Sequence, residues 1–356
     1  MANEWTDPLN PFNSMKILYW SEQLEAMARG ECPIPVTVTI DPTNVCNLNC
    51  SFCIMKQVRE ERETIPDEIL LKIPEFLGSW NGVKSVCVGG GGEPFCHPKI
   101  APLFYEIVNN GLSVGTITNG VHMTPEARRA VVDTCRWIGF SVDAGTEETW
   151  KKLKRPLGDG KFRSLLDNIE WIAQHRRATQ RPSIGFKYLF HPDNYTEVYE
   201  AVKLASKLGC DEFHGRPVVL EEGGFSDYMI ASINRQLDLA RNDFEDYDFK
   251  VYGVLHKFSK AWGRKVGFTR CLATPVNLYF LADGTLALCC DRRGDRSLNL
   301  GPYYPFQNVL DKWGSEEHKK MIAGIDLNKC PRCTQQMSNQ IIERVLGQDS
   351  MCLDFV

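Results

Sequence analysis

The chain lacks any run of eighteen apolar residues, so no membrane-spanning helix is expected. It also lacks an excess of charge of one sign. A formal net charge of -4 over 356 residues gives no electrostatic reason to expect nucleic acid or an anionic membrane as partner. The opening run Met1-Ala2-Asn3-Glu4-Trp5-Thr6-Asp7 is acidic and polar, unlike a secretory signal. Without such a signal, fourteen cysteines argue against a disulfide framework and for metal binding in a reducing cytoplasm, the location expected here. Hydrophobic residues at 43% can supply a sizeable core, and the length suits one large α/β domain with an appendage.

Cys46, Cys50 and Cys53 stand in a Cys-x3-Cys-x2-Cys pattern. They follow the β-branched stretch Val36–Ile40, which predicts a strand that Asp41-Pro42 and Asn44 turn into a loop. Three thiolates this close can surround one iron–sulfur cube, leaving a fourth iron open to a chelating small molecule. An incomplete zinc site or plain buried thiols are the alternatives. The spacing differs from the Cys-x2-Cys pairs of zinc ribbons, and no histidine lies close enough in sequence to complete a tetrahedron. With Phe52 just before the third cysteine, the run resembles the radical S-adenosylmethionine (SAM) superfamily. The resemblance implies a [4Fe–4S] cluster whose open iron takes the amino and carboxylate groups of SAM. It further implies an electron from a flavodoxin- or ferredoxin-type donor, which cleaves SAM to a 5′-deoxyadenosyl radical. Phe52 then packs near the adenine, or merely covers the cluster from water.

A second strand, Val83–Val88, runs into Gly89-Gly90-Gly91-Gly92-Glu93-Pro94. Glycines just after a strand allow close backbone approach to a ligand, and the Lys-Ser/Thr of a nucleotide P-loop is absent. This turn resembles the family's contact to the SAM amino group, which implies SAM-binding roles for Gly91, Gly92 and Glu93.

Alternation of strands and helices continues through strands at Leu112–Thr118, Trp137–Val142, Ile184–Phe190 and Glu212–Pro217. Helices are expected over 100–110, Phe162–His175 and Thr196–Leu208, and another after Pro66 that Pro74 kinks or ends. About six βα units result, two short of a closed barrel. The expected fold is therefore α/β, a partial (β/α)6 TIM-like barrel with a small C-terminal β-hairpin/helix iron–sulfur domain. Its divisions fall at 1–33 (a helical extension, helix Asn13–Gly30 with Met15, Leu18, Leu24 and Met27 inward), 34–246 (the barrel) and 247–356. The leading segment leaves little room for a leader-peptide recognition domain. Ligands of such folds bind at the C-terminal ends of parallel strands, where Asn119, Ser141, Asp143, Lys187, His191, His214 and Arg216 stand. By resemblance Ser141 and Asp143 lie near the SAM ribose or carboxylate; Lys187, His214 and Arg216 are candidates for substrate.

From Tyr247 the βα rhythm is expected to stop, and cysteines return at 271, 289, 290, 330, 333 and 352. Val276–Leu281, the Asp283-Gly284 turn and Thr285–Leu288 read as a hairpin that brings Cys271 and Cys289 together. Cys330 and Cys333 complete four thiolates, which suit zinc or a fully ligated cubane alike. The Cys-x12-Gly-x4-Cys…Cys-x2-Cys order resembles the twitch module, a shortened SPASM domain carrying one auxiliary [4Fe–4S] cluster. The Cys-x5-Cys-x3-Cys continuation of a full SPASM domain is absent after Cys333, so one auxiliary cluster is expected. Its spacing favours Cys289 over Cys290.

Taken together, the resemblance implies an enzyme that abstracts a substrate hydrogen and oxidises a small polar metabolite, with the auxiliary cluster as electron acceptor. Epimerisation with a cysteine hydrogen donor (Cys87, Cys96, Cys210, Cys290 or Cys352), maturation of a peptide, and a non-enzymatic zinc-stabilised binding protein are the alternatives.

Overall fold

The structure, a computed structural model, describes residues 14–176, 181–219, 224–254, 258, 267–330 and 333–347. Ten strands are hydrogen-bonded into one sheet: β1 (Thr37–Ile40), β2 (Ser85–Val88), β3 (Ser113–Thr118), β4 (Cys135–Ser141), β5 (Ser183–Phe190), β6 (Glu212–Pro217), β7 (Lys250–Gly253), β8 (Asn277–Phe280), β9 (Thr285–Ala287) and β10 (Asn299–Pro302). Their order is β10-β9-β8-β1-β2-β3-β4-β5-β6-β7. From β8 to β7 all neighbours are parallel, whereas β9 is antiparallel to both β8 and β10. This is a TIM-like partial barrel, and the expected strands β1 to β6 stand where periodicity put them.

Two expectations are corrected by the strand pairing. The βα rhythm does not stop at Tyr247: helix Asp227–Phe244 leads to a seventh parallel strand, β7, with Glu212 opposite Lys250. That strand is as short as β1 and β2, and no cysteine or glycine motif follows it in sequence to mark its end. The hairpin forms as expected, with Gly284 in the left-handed region (φ 84°). It does not stand apart, however: β8 pairs with β1, Thr37 opposite Asn277 and Ile40 opposite Phe280. The cysteines on either side of the hairpin are thereby fixed to the same sheet as the Cys46 loop.

Two helices also differ. The segment expected as one helix from Asn13 is a 3-10 turn, Ser14–Tyr19, followed by an α-helix, Ser21–Ala28. Met15 and Leu18 face solvent while Ile17 and Leu24 are buried, because the break at Trp20 changes which face points inward. After Pro66, Asp67–Leu70 and Ile73–Ser79 are separate helices, and Pro74 lies in the first turn of the second. A proline lacks only an N–H that a first turn leaves unbonded, so it starts this helix rather than ending one.

Strand side chains alternate between two faces. One face is closed by helices and apolar: Val38, Ile40, Val86, Val88, Ile138, Phe140, Phe186, Phe190 and Phe213 are all buried in a single core. Each such side chain contributes roughly 1.5–3 kcal/mol through burial. The other face is half-buried and mostly polar, carrying Thr39, Ser85, Cys87, Ser141, Lys187, Glu212, His214, Arg216 and Tyr252. That asymmetry leaves one face for ligands. Among the described residues no helix is long and apolar enough to cross a membrane.

His318 gives the fold an acid-sensitive point. It is fully buried against Trp313, its Nδ1 accepts the Gly314 N–H at 3.0 Å, and burial pulls its pKa down to about 4. Unfolded, the ring titrates near pH 6.5, so between about pH 6.5 and 4 only the unfolded chain binds the proton. Stability then falls as pH drops through that window. Metal-free protein is expected to lose about 2–3 kcal/mol from this residue between pH 7 and 4.5. Denaturant unfolding checks this, with equal losses in wild type and His318→Gln counting against it.

Candidate active site

Because the strands are parallel, the loops after β1, β2, β3 and β4 emerge at one end of the sheet. The loop after β1 carries Cys46, Cys50 and Cys53, all half-buried. Its outer strand is held by the last turn of helix Glu147–Lys154: Ser51 N–H donates to Leu153 O at 2.9 Å, and Asn49 N–H to Lys154 O at 3.1 Å. Its other side is held by the glycine turn after β2, through Gly92 N–H to Thr43 O (3.1 Å) and Glu93 N–H to Val45 O (2.8 Å). A Cβ on Gly92 would lie 2.2 Å from Val45 O, and one on Gly91 2.3 Å from Asn44 Oδ1. The close approach that these glycines permit is thus to the cysteine loop itself. Gly92→Ala is expected to cost about 1–3 kcal/mol by overpacking against rigid backbone, and to lower iron incorporation. Wild-type iron content in that variant would sink the claim.

Glu93 is buried and its carboxylate is bonded within the protein. Oε1 accepts from Thr118 Oγ1 at 2.6 Å and Phe95 N–H at 3.2 Å, and Oε2 from Asn119 N–H at 2.7 Å. Burial pushes its pKa up against these bonds. The side chain ties the glycine turn to the end of β3 and so positions Asn119. Asn119 Nδ2 in turn donates to Asn47 Oδ1 at 2.7 Å and lies 3.9 Å from Cys46 Sγ.

The end of β4 supplies a second network. Asp143 is buried with φ 63°, a left-handed conformation that Asp tolerates. Its Oδ1 accepts Leu189 N–H at 2.6 Å and its Oδ2 is bonded by the buried ammonium of Lys154. Lys154 also lies 5.4 Å from the Phe52 ring centroid, and Phe52 sits 6.0 Å from the His191 ring. Burial by itself would lower the Lys154 pKa, yet Asp143 and the nearby Cys50 and Cys46 sulfurs hold it above its ordinary range. Ser141, the last residue of β4, stands opposite Lys187 within β5.

On the uncovered face, Lys187 is paired with Glu212 Oε1 at 2.5 Å. Its ammonium lies over Gly185, where a Cβ would come within 2.8 Å, and its stem crosses Gly139. It is therefore turned back along the sheet, away from the strand's C-terminal end. His214 and Arg216 share the face of Glu212, opposite Lys187 and Leu189.

Sequence reasoning missed Arg59 and Lys154. Arg59 donates to Leu48 O at 2.5 Å and reaches 3.6 Å from Cys53 Sγ, although it lies in the strongly charged run Lys56–Glu63. The only local signal for Lys154 is its place in the last turn of an amphipathic helix that follows β4.

The second cysteine group is gathered from three segments. Thr334 donates to Asp291 through N–H (2.6 Å) and Oγ1 (2.9 Å), joining the Cys333 segment to the Cys289-Cys290 loop. Asn339 Oδ1 accepts Leu272 N–H (2.5 Å) and Ala273 N–H (2.9 Å) beside Cys271, while its Nδ2 lies 3.9 Å from Cys333 Sγ. Cys271 lies within electrostatic reach of Cys330, and Cys333 within reach of Cys271 and Cys290. A hydrogen bond from Cys289 holds Cys290 below its usual thiol range, with Tyr279 also bonded to Cys290. Cys352 lies outside the described residues.

Among the described residues, no three His, Cys, Asp or Glu side chains converge as ligands of a single ion. A cubane takes one thiolate per iron, at the corners of a cage rather than around a point. Burial pushes the Cys46 thiol up to about 11, so cluster binding must displace a proton there. The Arg59, Asn119 and Lys154 donors around these sulfurs suit the anionic thiolates that a cluster requires. The site fits the group.

The sequence profile of the radical SAM superfamily matches residues 40–205. Residues 40–205 are a radical SAM domain. The domain implies a [4Fe–4S] cluster and SAM. Its curated relatives include a tungsten-containing aldehyde ferredoxin oxidoreductase cofactor-modifying protein of Pyrococcus furiosus, 25% identical over 48% of this chain and 48% of its own length. They also include the subtilosin biosynthesis protein AlbA of Bacillus subtilis, 27% identical over 52% of this chain and 40% of its own length. The chain thus spans about half the length of these relatives or less. Among solved structures, Streptococcus suis SuiB bound to precursor peptide SuiA aligns with 95% of this chain and 76% of its own (TM-score 0.65, 15% identity). AnSMEcpe with bound AdoMet aligns with 86% and 88% (TM-score 0.59, 15% identity). At these identities the likeness is one of fold.

Proposed function

We propose that this protein is a radical SAM oxidoreductase that removes hydrogen from a small polar metabolite. The observation that carries this reading is the uncovered sheet face beside the radical SAM site, where Ser141 ends β4 and Lys187, Glu212, His214 and Arg216 line the same side of β5 and β6. When bound, SAM and its cluster would supply the radical, and a second cluster on Cys271, Cys289, Cys330 and Cys333 would accept the substrate's electron. The chain's own residues position and shield. Phe52 and Lys154 close the cluster loop on the substrate side, Asp143 locks Lys154, and His214 and Arg216 orient hydroxyl or acid groups. Lys187, held by Glu212, forms the floor beneath them rather than a free base.

Peptide maturation is a second reading with its own support. Ile117 (43% exposed) and Trp137 (36%) keep apolar surface open on the same face, as a peptide side chain would require. The Cys87 thiol on that face would serve an epimerase. The test is anaerobic turnover in D2O with reductant, SAM and panels of polyols and of short peptides. Oxidation predicts products lighter by two hydrogens without solvent deuterium at the reacting carbon. Deuterium retained at that carbon in a product of otherwise unchanged composition would overturn oxidation in favour of a thiol donor.

A further inference from the structure

One buried ion pair joins the two cysteine groups. Arg293, on the loop just after Cys289 and Cys290, places Nε 3.0 Å from Oδ2 of Asp41, at the start of the loop that carries Cys46. The Arg293 side chain is 12% exposed and that of Asp41 2%. The guanidinium also lies 5.3 Å from the Tyr279 ring of β8, with Cys87 and Cys290 beside it. Asp41 is pinned from above by the glycine turn, since a Cβ on Gly90 would fall 2.3 Å from its carboxyl carbon. A purely mechanical link between β1 and the C-terminal segment would be served as well by apolar residues, because desolvating an ion pair offsets most of its attraction. What apolar residues cannot supply is an oriented pair of charges in a low-dielectric interior, where charge acts over longer range than in water.

We propose that Asp41 and Arg293 are a positioning pair that polarises electron flow between the two cysteine groups, its negative end on the SAM-cluster loop and its positive end on the C-terminal group. This rests on the reading above that the C-terminal cysteines hold a cluster. A carboxylate at the root of the loop that would hold the first cluster disfavours the added electron there, through a low-dielectric interior, and makes that cluster the stronger reductant. A guanidinium beside the second favours the added electron and makes it the better acceptor. The pair thus sets a downhill direction from substrate radical to C-terminal cluster.

The test is an EPR-monitored redox titration of the reconstituted protein, with unfolding of the metal-free protein in parallel, for Asp41→Asn, Arg293→Met, the double variant and Arg293→Lys. Asp41→Asn should raise the SAM-cluster potential, and Arg293→Met should lower that of the C-terminal cluster. The double variant should show both shifts together, a raised SAM-cluster potential and a lowered C-terminal one, and Arg293→Lys, which keeps the charge, should leave both potentials nearly unchanged. Shifts of the same sign in the two single variants, or none, would overturn the redox role. In the metal-free protein the two single destabilisations should be non-additive, and additive losses would overturn the pairing itself. If the wild-type C-terminal cysteines hold no iron, the two-cluster reading fails and the redox role with it. Non-additive unfolding would then still identify the pair as the link between the loops.

Discussion

Replacing Cys46, Cys50 and Cys53 together by alanine is expected to abolish SAM cleavage while leaving about half of the iron of the wild-type protein. The three thiolates come from one loop and are the only protein ligands the first cluster would have, so no partial site survives. The rest of the fold does not depend on them. The loop is held from outside through Ser51, Asn49 and Gly92 backbone bonds and through Arg59 to Leu48 O. Iron and sulfide counting after anaerobic reconstitution measures the effect: two cubanes predict about eight irons falling to about four. A fall from about four to none would leave the radical SAM site standing and remove the auxiliary cluster, with the electron-acceptor mechanism. Retention of full iron would refute the assignment of the first site.

Lys154→Met is expected to be the most damaging single substitution outside the cysteines. It leaves the Asp143 carboxylate buried with the Leu189 N–H as its one remaining hydrogen-bond partner among the described residues. Removing one member of a buried ion pair typically costs about 3–5 kcal/mol, because the remaining charge has lost both water and partner. The loss would spread to the cluster loop, since the same helical turn accepts the Ser51 and Asn49 N–H groups. Denaturant unfolding of the metal-free variant measures the cost, and iron loading reports the loosened loop. Asp143→Asn/Lys154→Met should recover much of the loss, because Asn keeps the left-handed backbone and carries no charge. A single variant as stable as wild type would show that Lys154 is not the partner that keeps Asp143 buried.

Several features of this site were legible because they are local. Cysteine spacing is a covalent property, strand periodicity reports which residues face a core, and Gly284 marks its turn by a backbone angle that few residues adopt. What was misread was also instructive. Met15 and Leu18 have helical spacing toward a buried face, but the chain breaks at Trp20 and turns them outward. Gly91 and Gly92 follow β2 as expected, and the close approach they allow includes one to Asn44 and Val45 of the cysteine loop, which the sequence does not show. Lys187 stood at a strand end as a candidate base, and Glu212 draws its ammonium back over Gly185.

The sequence by itself determined that this chain forms a βα-type parallel sheet with three thiols on one loop and a second group of thiols on either side of a hairpin. Only the tertiary structure decided that β8 joins β1, and hence that Arg293 meets Asp41. It alone likewise decided that Lys154 is buried on Asp143 rather than solvated with its neighbours Lys151 and Lys152. The reason is physical. A long charged side chain looks the same in sequence whether it is in water or in a core, and its fate is set by a partner brought close only when strand register is fixed.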